Sequence, residues 1–374
     1  MRILHITPSY PPSTAYGGPT TAAALLCEAL AKNGFDVTVY CTRADGQRAL
    51  QLPAKTIRRG VRLQYFDRLT GDHSHLSPTL LWAVWRTCRR YDAVHIHSWW
   101  NLTALPSLLL CIFRGIRPVI SVRGMLGNYT LQSRVKRYFQ RWIGRRLLMN
   151  ALLHATSNLE AAQIAAAAPG AEIICAPNLC ALPELPPCRP PTSQLHLAFI
   201  GRLHPVKGLP ALFEALAVVS FPWALTIAGD GEAHYVSQLK ATAARLGIAD
   251  RLYWAGWVAD PEKYRILTRA DLCVLVSQSE SFANAALEAL IMGTPVLLGE
   301  NVGLADYVQQ TGAGQVCAPT AKAIAAALEA VHWKIRRHAF DRQQIAQQAR
   351  TDFSPDGILA QYVAMYRRVA PRAH

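Results

Sequence analysis

At 374 residues the chain exceeds one ordinary domain of roughly 100–200 residues, so two domains are expected. Its 51% hydrophobic and 17% charged residues exclude a disordered or fibrous chain. The net charge of +15 is regional: residues 1–187 hold 21 basic against nine acidic residues, 188–374 hold 18 against 15, and 101–150 hold nine basic residues and no acid. That distribution favours an anionic partner for the first half.

From the first residue, short β-branched runs alternate with helical patterns, the signature of parallel βαβ units. Strands are expected at 2–6, 36–41, 61–66, 92–96, 117–122, 151–155 and 172–175, with helices near 20–33, 77–90, 101–114, 131–149 and 157–167. Pro183, Pro186, Pro187, Pro190 and Pro191 then exclude a helix or central strand and mark 186–194 as a stiff linker. A second series follows, with strands at 195–200, 224–228, 251–255, 271–276 and 295–298 and helices near 208–219, 232–247, 260–268, 283–293 and 320–333. The last pattern, 354–370, is helical and could pack on either domain, including back on the first. The expected class is α/β: two doubly wound, Rossmann-like domains, 1–185 and 195–353, facing a central cleft. No repeat at 20–50 residues is present, which excludes solenoids and propellers.

The nine cysteines are scattered, with no Cys-x-x-Cys pair and no zinc-finger spacing, so disulfides and zinc are not expected and a reducing cytoplasm fits best. Met1-Arg2 runs straight into an apolar strand pattern too short for a signal peptide. The greasy stretch 102–113 contains Pro106 and is too short to span a bilayer, so it reads as a buried helix.

In doubly wound sheets, ligands bind beyond the carboxyl ends of the strands. The unusual residues of this chain fall there: Gly17-Gly18 after the first strand, His97-Ser98-Trp99-Trp100 after 92–96, and Arg123-Gly124 after 117–122. In the second half they are Gly201-Arg202, Gly229-Asp230-Gly231, Gly256-Trp257 and the stretch from Ser277 to Glu280. Arg202 and Lys207 put two cations five residues apart in a loop that opens a helix, which suits a diphosphate; a glycine turn with two solvated cations reads equally well from these residues alone. Glu280 and Glu288 flank the start of the helix expected at 283–293 and could accept hydrogen bonds from vicinal sugar and ribose hydroxyls. An ordinary acidic helix start, with Asn284 as its cap, is the plainer alternative. No Asp pair suited to Mg²⁺ is present, so neither metal nor cofactor is expected.

At these residues the chain resembles the family 4 retaining glycosyltransferases of the GT-B fold. The likeness runs through Gly17-Gly18, Val94-His95-Ile96-His97, the run from Ser121 to Leu126, His154-Ala155-Thr156-Ser157, Pro177-Asn178, Gly201-Arg202 with Lys207-Gly208, Ala228-Gly229-Asp230-Gly231, Ala270-Asp271, and Glu280 to Glu288 leading into Gly293-Thr294-Pro295. The resemblance implies that Arg202 and Lys207 bind the diphosphate of a nucleotide sugar, that Glu280 meets the transferred sugar and Glu288 the ribose, and that Asn284 and Ala285 offer backbone N–H groups to the phosphates. It further implies that the backbone around Trp257 and Val258 reads the base, that Gly17 and Gly18 let the loop of the first domain approach the same phosphates, and that Gly229 lies in the donor site. Two departures stand out. Ala283 replaces a common glycine, so a glycine-only backbone angle is not expected there. Arg123 replaces a common histidine, which makes His97 the nearest catalytic candidate and puts Arg123, with Trp99, on the acceptor side.

Residues 133–149 place Val135, Tyr138, Phe139, Trp142 and Ile143 on one helical face, with Arg134, Lys136, Arg137, Arg141, Arg145 and Arg146 around the rest. This suits a helix lying on anionic lipid; a core-facing helix with a solvated basic side fits the same spacing. The expected activity is therefore metal-independent, retaining sugar transfer from a nucleotide-diphosphate sugar to a saccharide acceptor, lipid-linked, in cell-surface polysaccharide biosynthesis. The expected location is the cytoplasm, peripheral on the inner face of the membrane. Competing readings are a nucleotide-sugar epimerase, which would release free epimerised sugar, and a non-catalytic anionic-ligand binding protein. Nucleic-acid binding is opposed by the lack of a groove-reading module.

Overall fold

The computed structural model describes residues 1–72, 74–127, 129–184 and 193–370. Most of the expected linker, 186–192, lies outside the described residues. The chain divides into two compact units, Met1–Leu179 with Pro355–His374, and Cys180–Ser354.

In chain order, unit 1 begins β1 (Arg2–Thr7), α1 (Gly18–Lys32), β2 (Asp36–Thr42), β3 (Ala44–Asp45), β4 (Arg48–Ala49), β5 (Lys55–Arg58) and β6 (Val61–Phe66). It continues α2 (Pro78–Thr87), β7 (Ala93–His97), α3 (Ala104–Phe113), β8 (Val119–Ser121), α4 (Arg134–Phe139), α5 (Arg145–Leu148), β9 (Leu152–Ala155), α6 (Asn158–Ala167) and β10 (Ile173–Cys175). The sheet order is β10-β9-β8-β7-β1-β2-β6-β5, parallel except for the edge hairpin β5–β6. Strand order reverses at β1 and β7, so the switch point of unit 1 lies beyond Thr7 and His97.

Unit 2 runs β11 (Leu195–Ile200), α7 (Leu209–Val218), β12 (Trp223–Ala228), α8 (Ala233–Arg245), β13 (Leu252–Gly256), α9 (Glu262–Arg269), β14 (Leu272–Leu275), α10 (Asn284–Ile291), β15 (Val296–Gly299), α11 (Ala305–Thr311), β16 (Gly314–Cys317), α12 (Ala321–Arg336) and α13 (Arg342–Asp352). Its sheet, β13-β12-β11-β14-β15-β16, is wholly parallel, with the switch point at β11 and β14. The final helix α14 (Pro355–Val369) belongs to unit 1, where the Tyr366 hydroxyl lies 2.8 Å from His95 Nδ1. Both sheets are doubly wound α/β, the GT-B pattern of two Rossmann-like halves.

Strand alternation divides the sheet of unit 1 into two different faces. Leu4, Ile6, Val94, Ile96, Ile120 and Leu153 point one way into a cluster with α2 and α3, and each is at most 1% exposed. The alternate residues His5, His95, His97, Ser121 and His154 point the other way and are also buried, with Tyr362 and Tyr366 of α14 packed against His154, His95 and His5. Buried polar groups need partners, and the sheet supplies most of them internally.

Several elements depart from expectation. The strand β16 and the helices α11 and α13 were not anticipated, because β16 reads Gly-Gln-Val-Cys with little β-branching and the helices are polar. The single helix expected over 131–149 is broken: a 3₁₀ turn at Thr130–Gln132 precedes α4, and a π-helical segment, Gln140–Gly144, joins α4 to α5. That segment turns Gln140, Gly144 and Leu148 inward, four residues apart, leaving Val135 79%, Tyr138 70%, Trp142 50% and Ile143 52% exposed. Phe139 leaves the expected apolar face and packs edge-on against Trp100.

Candidate functional site

In unit 2, two loops meet at the switch point. After β11, Gly201-Arg202 leads to a 3₁₀ turn, Pro205–Lys207; after β14, Ser277–Glu280 leads to α10. The Gln278 N–H donates to the Val206 carbonyl at 2.8 Å and joins the loops. Glu280 is pinned on both sides, its N–H donating to the Asn301 carbonyl and its carbonyl accepting from the Gly303 N–H. The fixed backbones bring Lys207 Nζ onto a Glu280 carboxylate oxygen, with side chains 16% and 26% exposed. Arg202 is exposed and has no salt bridge among the described residues. Gly229, just beyond β12, passes so close to β11 that an added Cβ would lie 1.9 Å from the Gly201 carbonyl oxygen. Only glycine fits there.

Ala283 overturns one expectation. It caps α10 at φ 77°, ψ 70°, so the left-handed angle is required and an alanine adopts it, at a cost of about 1–2 kcal/mol. Asn284 is accordingly not the cap; it and Ala285 are the first two residues of α10, where backbone N–H groups point out of the helix end. Trp257 is 59% exposed beyond β13, with Val258 beside it.

Glu288, one turn inside α10, is nearly covered, its side chain 14% exposed. Lys263 Nζ of α9 lies 2.7 Å from Glu288 Oε1 and 3.1 Å from Asp260 Oδ1. Burial pushes the Glu288 carboxyl up, and the Lys263 charge and hydrogen bond pull it back. Burial also opposes the Lys263 ammonium, but the Glu288 carboxylate outweighs it and the pKa of Lys263 is raised. The sequence reading missed Lys263, because one lysine in the first turn of an amphipathic helix reads as solvated.

The switch point of unit 1 has the opposite character. His154 Nε2 lies 2.8 Å from the Ala176 carbonyl and must donate to it, so His154 Nδ1 accepts from the Ser121 hydroxyl at 2.7 Å. Ser121 Oγ then accepts from His95 Nε2 at 2.7 Å, and His95 Nδ1 accepts from Tyr366. A second chain begins at Arg123, whose Nη2 donates to His97 Nδ1 at 3.4 Å, leaving His97 Nε2 to donate to His5 Nδ1 at 3.0 Å. It ends at His5 Nε2, which is buried and has no partner among the described residues. All four imidazoles are therefore neutral: burial, then the Arg123 charge, pushes His5 and His154 down to about 3, and burial holds His95 and His97 well below the ordinary range.

This arrangement corrects two expectations. His97 is 4% exposed with both nitrogens engaged, so it orients Arg123 and is not an available acid or base. Trp99 is 1% exposed and donates its Nε1–H to Gln140 Oε1, so it is a core residue and no acceptor contact. Arg123 itself is half-buried at φ 55° and also donates to Asn178 Oδ1. Nitrogens of His5, His95 and His97 lie within 4.8 Å of one another, close enough to suggest a metal centre. The residues do not fit one: the hydrogen-bond chains engage every nitrogen of the three except His5 Nε2, and a metal would add positive charge beside Arg123 with no carboxylate in the group. Gly17, at φ 59°, caps α1 with open space around it, and Gly18 is the first residue of that helix. The loop before them is held by Asp45 Oδ1, which accepts from Ser13 Oγ and the Thr14 and Ala15 N–H groups.

Two doubly wound units, one with paired cations and carboxylates at a helix start, define a nucleotide-sugar-dependent class of protein. Family models match both units: "Glycosyl transferase 4-like domain" over residues 17–178 and "Glycosyl transferases group 1" over 188–350. The chain belongs to the family 4 glycosyltransferases, retaining enzymes of the GT-B fold. It is 34% identical over 190 residues to a D-inositol 3-phosphate glycosyltransferase of Segniliparus rotundus, covering 47% of this chain and 41% of that relative. It is 28% identical over 366 residues to a glycogen synthase of Mycobacterium tuberculosis, covering 88% and 86%. Among solved structures, HepE of Anabaena with UDP and glucose superposes with a TM-score of 0.77 at 19% identity, over 98% of this chain and all of that one.

Proposed function

We propose that the chain moves a sugar from a nucleotide-diphosphate sugar to a saccharide acceptor carried on a lipid, in the building of cell-surface polysaccharide. The observation that carries the donor half is the Lys207–Glu280 pair at the switch point of unit 2, beside the start of α10. Lys207 and Arg202 take the diphosphate, and Glu280, released from Lys207, accepts hydroxyls of the sugar. Asn284 and Ala285 offer N–H groups to phosphate oxygens, Glu288 holds the ribose, and Trp257 with Val258 flanks the base. Gly229 leaves room for this close approach of backbone, and Gly17 and Gly18 do the same in unit 1. The relative solved with UDP makes uridine the first nucleotide to test.

Retention needs no covalent nucleophile of the protein: the acceptor hydroxyl attacks the face the diphosphate leaves and passes its proton to the departing phosphate. The protein positions the partners and stabilises charge growing on the leaving group. A thermal-shift series with UDP, GDP and ADP identifies the base, since ligand binding raises apparent stability. Arg202→Ala, Lys207→Ala and Glu280→Ala should each depress nucleotide-sugar turnover; unchanged turnover in all three sinks the assignment. Release of free epimerised sugar without acceptor would favour an epimerase instead.

The lipid half of the reading is supported by the outward face of α4 and the π segment, where Val135, Tyr138, Trp142 and Ile143 stand exposed among Arg134, Arg137, Arg141 and Arg145. Lys136 is half-buried, its ammonium 5.5 Å from the Trp100 ring centroid. A core-facing helix would have turned this apolar face inward. No helix among the described residues is long and apolar enough to cross a membrane; the contact in this reading is peripheral, at the inner leaflet. Vesicles containing anionic lipid should co-sediment the protein at low salt, and Tyr138→Ser with Trp142→Ser should abolish this; binding indifferent to salt and lipid charge would remove membrane docking from the reading.

A further inference from the structure

We propose that Lys263 is a positioning residue that keeps Glu288 in the carboxylate form needed to hold a ribose. The inference rests on Glu288 being the ribose-binding residue, as proposed above. Two vicinal hydroxyls donate best to the two oxygens of one carboxylate; a protonated carboxyl gives up part of that acceptor capacity and the charge that strengthens both bonds.

The surroundings of Glu288 show why it needs help to remain ionised. From α9 it is faced by Lys263 and Tyr264, from the preceding loop by Asp260, from β14 by Cys273, and from the start of unit 2 by Cys180. The phenol and both thiols are held protonated by burial, so they bring no charge. From α13, Arg342 donates to carbonyls of Ala270 and Thr268, and Arg350 to those of Ile291 and Pro183. Lys263 is therefore the only cation in ion-pair contact with Glu288 among the described residues. Burial and Asp260 both favour the neutral carboxyl, and only Lys263 opposes them. The ammonium is fixed where it acts, bridging Glu288 and Asp260 and lying 4.7 Å from the Tyr264 ring centroid.

The test measures binding by calorimetry from about pH 5.5 to 8.5, using whichever of UDP, GDP and ADP stabilises the wild-type chain most, and the matching 2′-deoxynucleotide. Wild-type protein should prefer the ribonucleotide throughout and lose affinity only at the acid end. Lys263→Met should bind nearly normally at pH 8.5 but about tenfold more weakly at pH 6, losing its ribose preference in step, as expected of a carboxyl that gains a proton. Lys263→Arg should restore the wild-type profile. A Lys263→Met deficit equal at every pH, or none, overturns the inference. Asp260→Asn provides an independent check, because the Asp260 side chain is 56% exposed and folding is not at stake: the acid limb should move to lower pH, and a limb that stays put or moves up counts against the proposal. Glu288→Gln separates the two ideas, since ribose preference surviving in that variant removes the ribose assignment itself, whatever Lys263 does.

Discussion

The two switch points share one topology and have opposite electrostatics. That of unit 2 holds the ion pair Lys207–Glu280 in a partly open setting, beside the nearly covered pair Lys263–Glu288. That of unit 1 holds four neutral imidazoles and a guanidinium in hydrogen-bonded chains that end on a backbone carbonyl and on one unpartnered nitrogen. A partly exposed ion pair contributes little to stability and is easily exchanged for a ligand, whereas a buried polar chain contributes to stability and resists change. One end of unit 2 is thus built to be rearranged, and the corresponding end of unit 1 to be kept.

That contrast can be broken from either side. In unit 2, Lys207→Ala should slow turnover by about 10²–10³-fold, as for removal of one donor to a developing oxyanion, while thermal stability changes little. In unit 1, His95→Ala should do the reverse. It strands the Tyr366 hydroxyl, at a cost of about 3 kcal/mol in urea unfolding, from the lost bonds and the emptied volume together, and it leaves nucleotide affinity intact. Loss of affinity alongside stability would mean that the two switch points are not separate in function. Acid sharpens the difference further. In the unfolded chain these histidines bind protons near the usual 6.5, but His5 and His154 do so in the fold only at about 3. Stability tied to neutral imidazoles is therefore complete well above pH 6.5 and drains away as pH falls toward 3, by about 3 kcal/mol over the first unit below pH 7 if all four stay neutral. Urea midpoints at pH 7 and 6, compared for the wild type and for a His154→Gln variant, measure this slope. The smallest effect belongs to unit 2: Ala283→Gly relieves a left-handed alanine and should stabilise by about 1 kcal/mol, visible as a slightly higher melting temperature.

How much of this was legible in the sequence follows from the range of the interactions involved. Strand and helix alternation depends on local periodicity, and so the α/β class and most elements were readable. The meeting of Lys207 and Glu280 was readable because strand ends in a doubly wound sheet converge on one place. The left-handed angle at Ala283 was not, since alanine carries no mark of a backbone strain that neighbouring loops impose. Lys263 and the imidazole chains escaped for a related reason. His5 and His97 are 92 residues apart and His95 and Tyr366 are 271 apart, so only the register of β1 on β7 and the return of α14 bring them together. Trp99 was misread because an aromatic at a strand end suits a ligand wall and a core equally, and only its bond to Gln140 decides.

The return of α14 has one more consequence, for the order in which the molecule is made. Unit 2 is a single stretch of chain, Cys180–Ser354, whereas unit 1 is closed by a helix translated after it. During synthesis the half that starts first finishes last: its histidine face waits uncovered, without the Tyr366 hydroxyl, until the whole of unit 2 has been translated. A ribosome that stalls anywhere in unit 2 therefore leaves an incomplete unit 1 behind it.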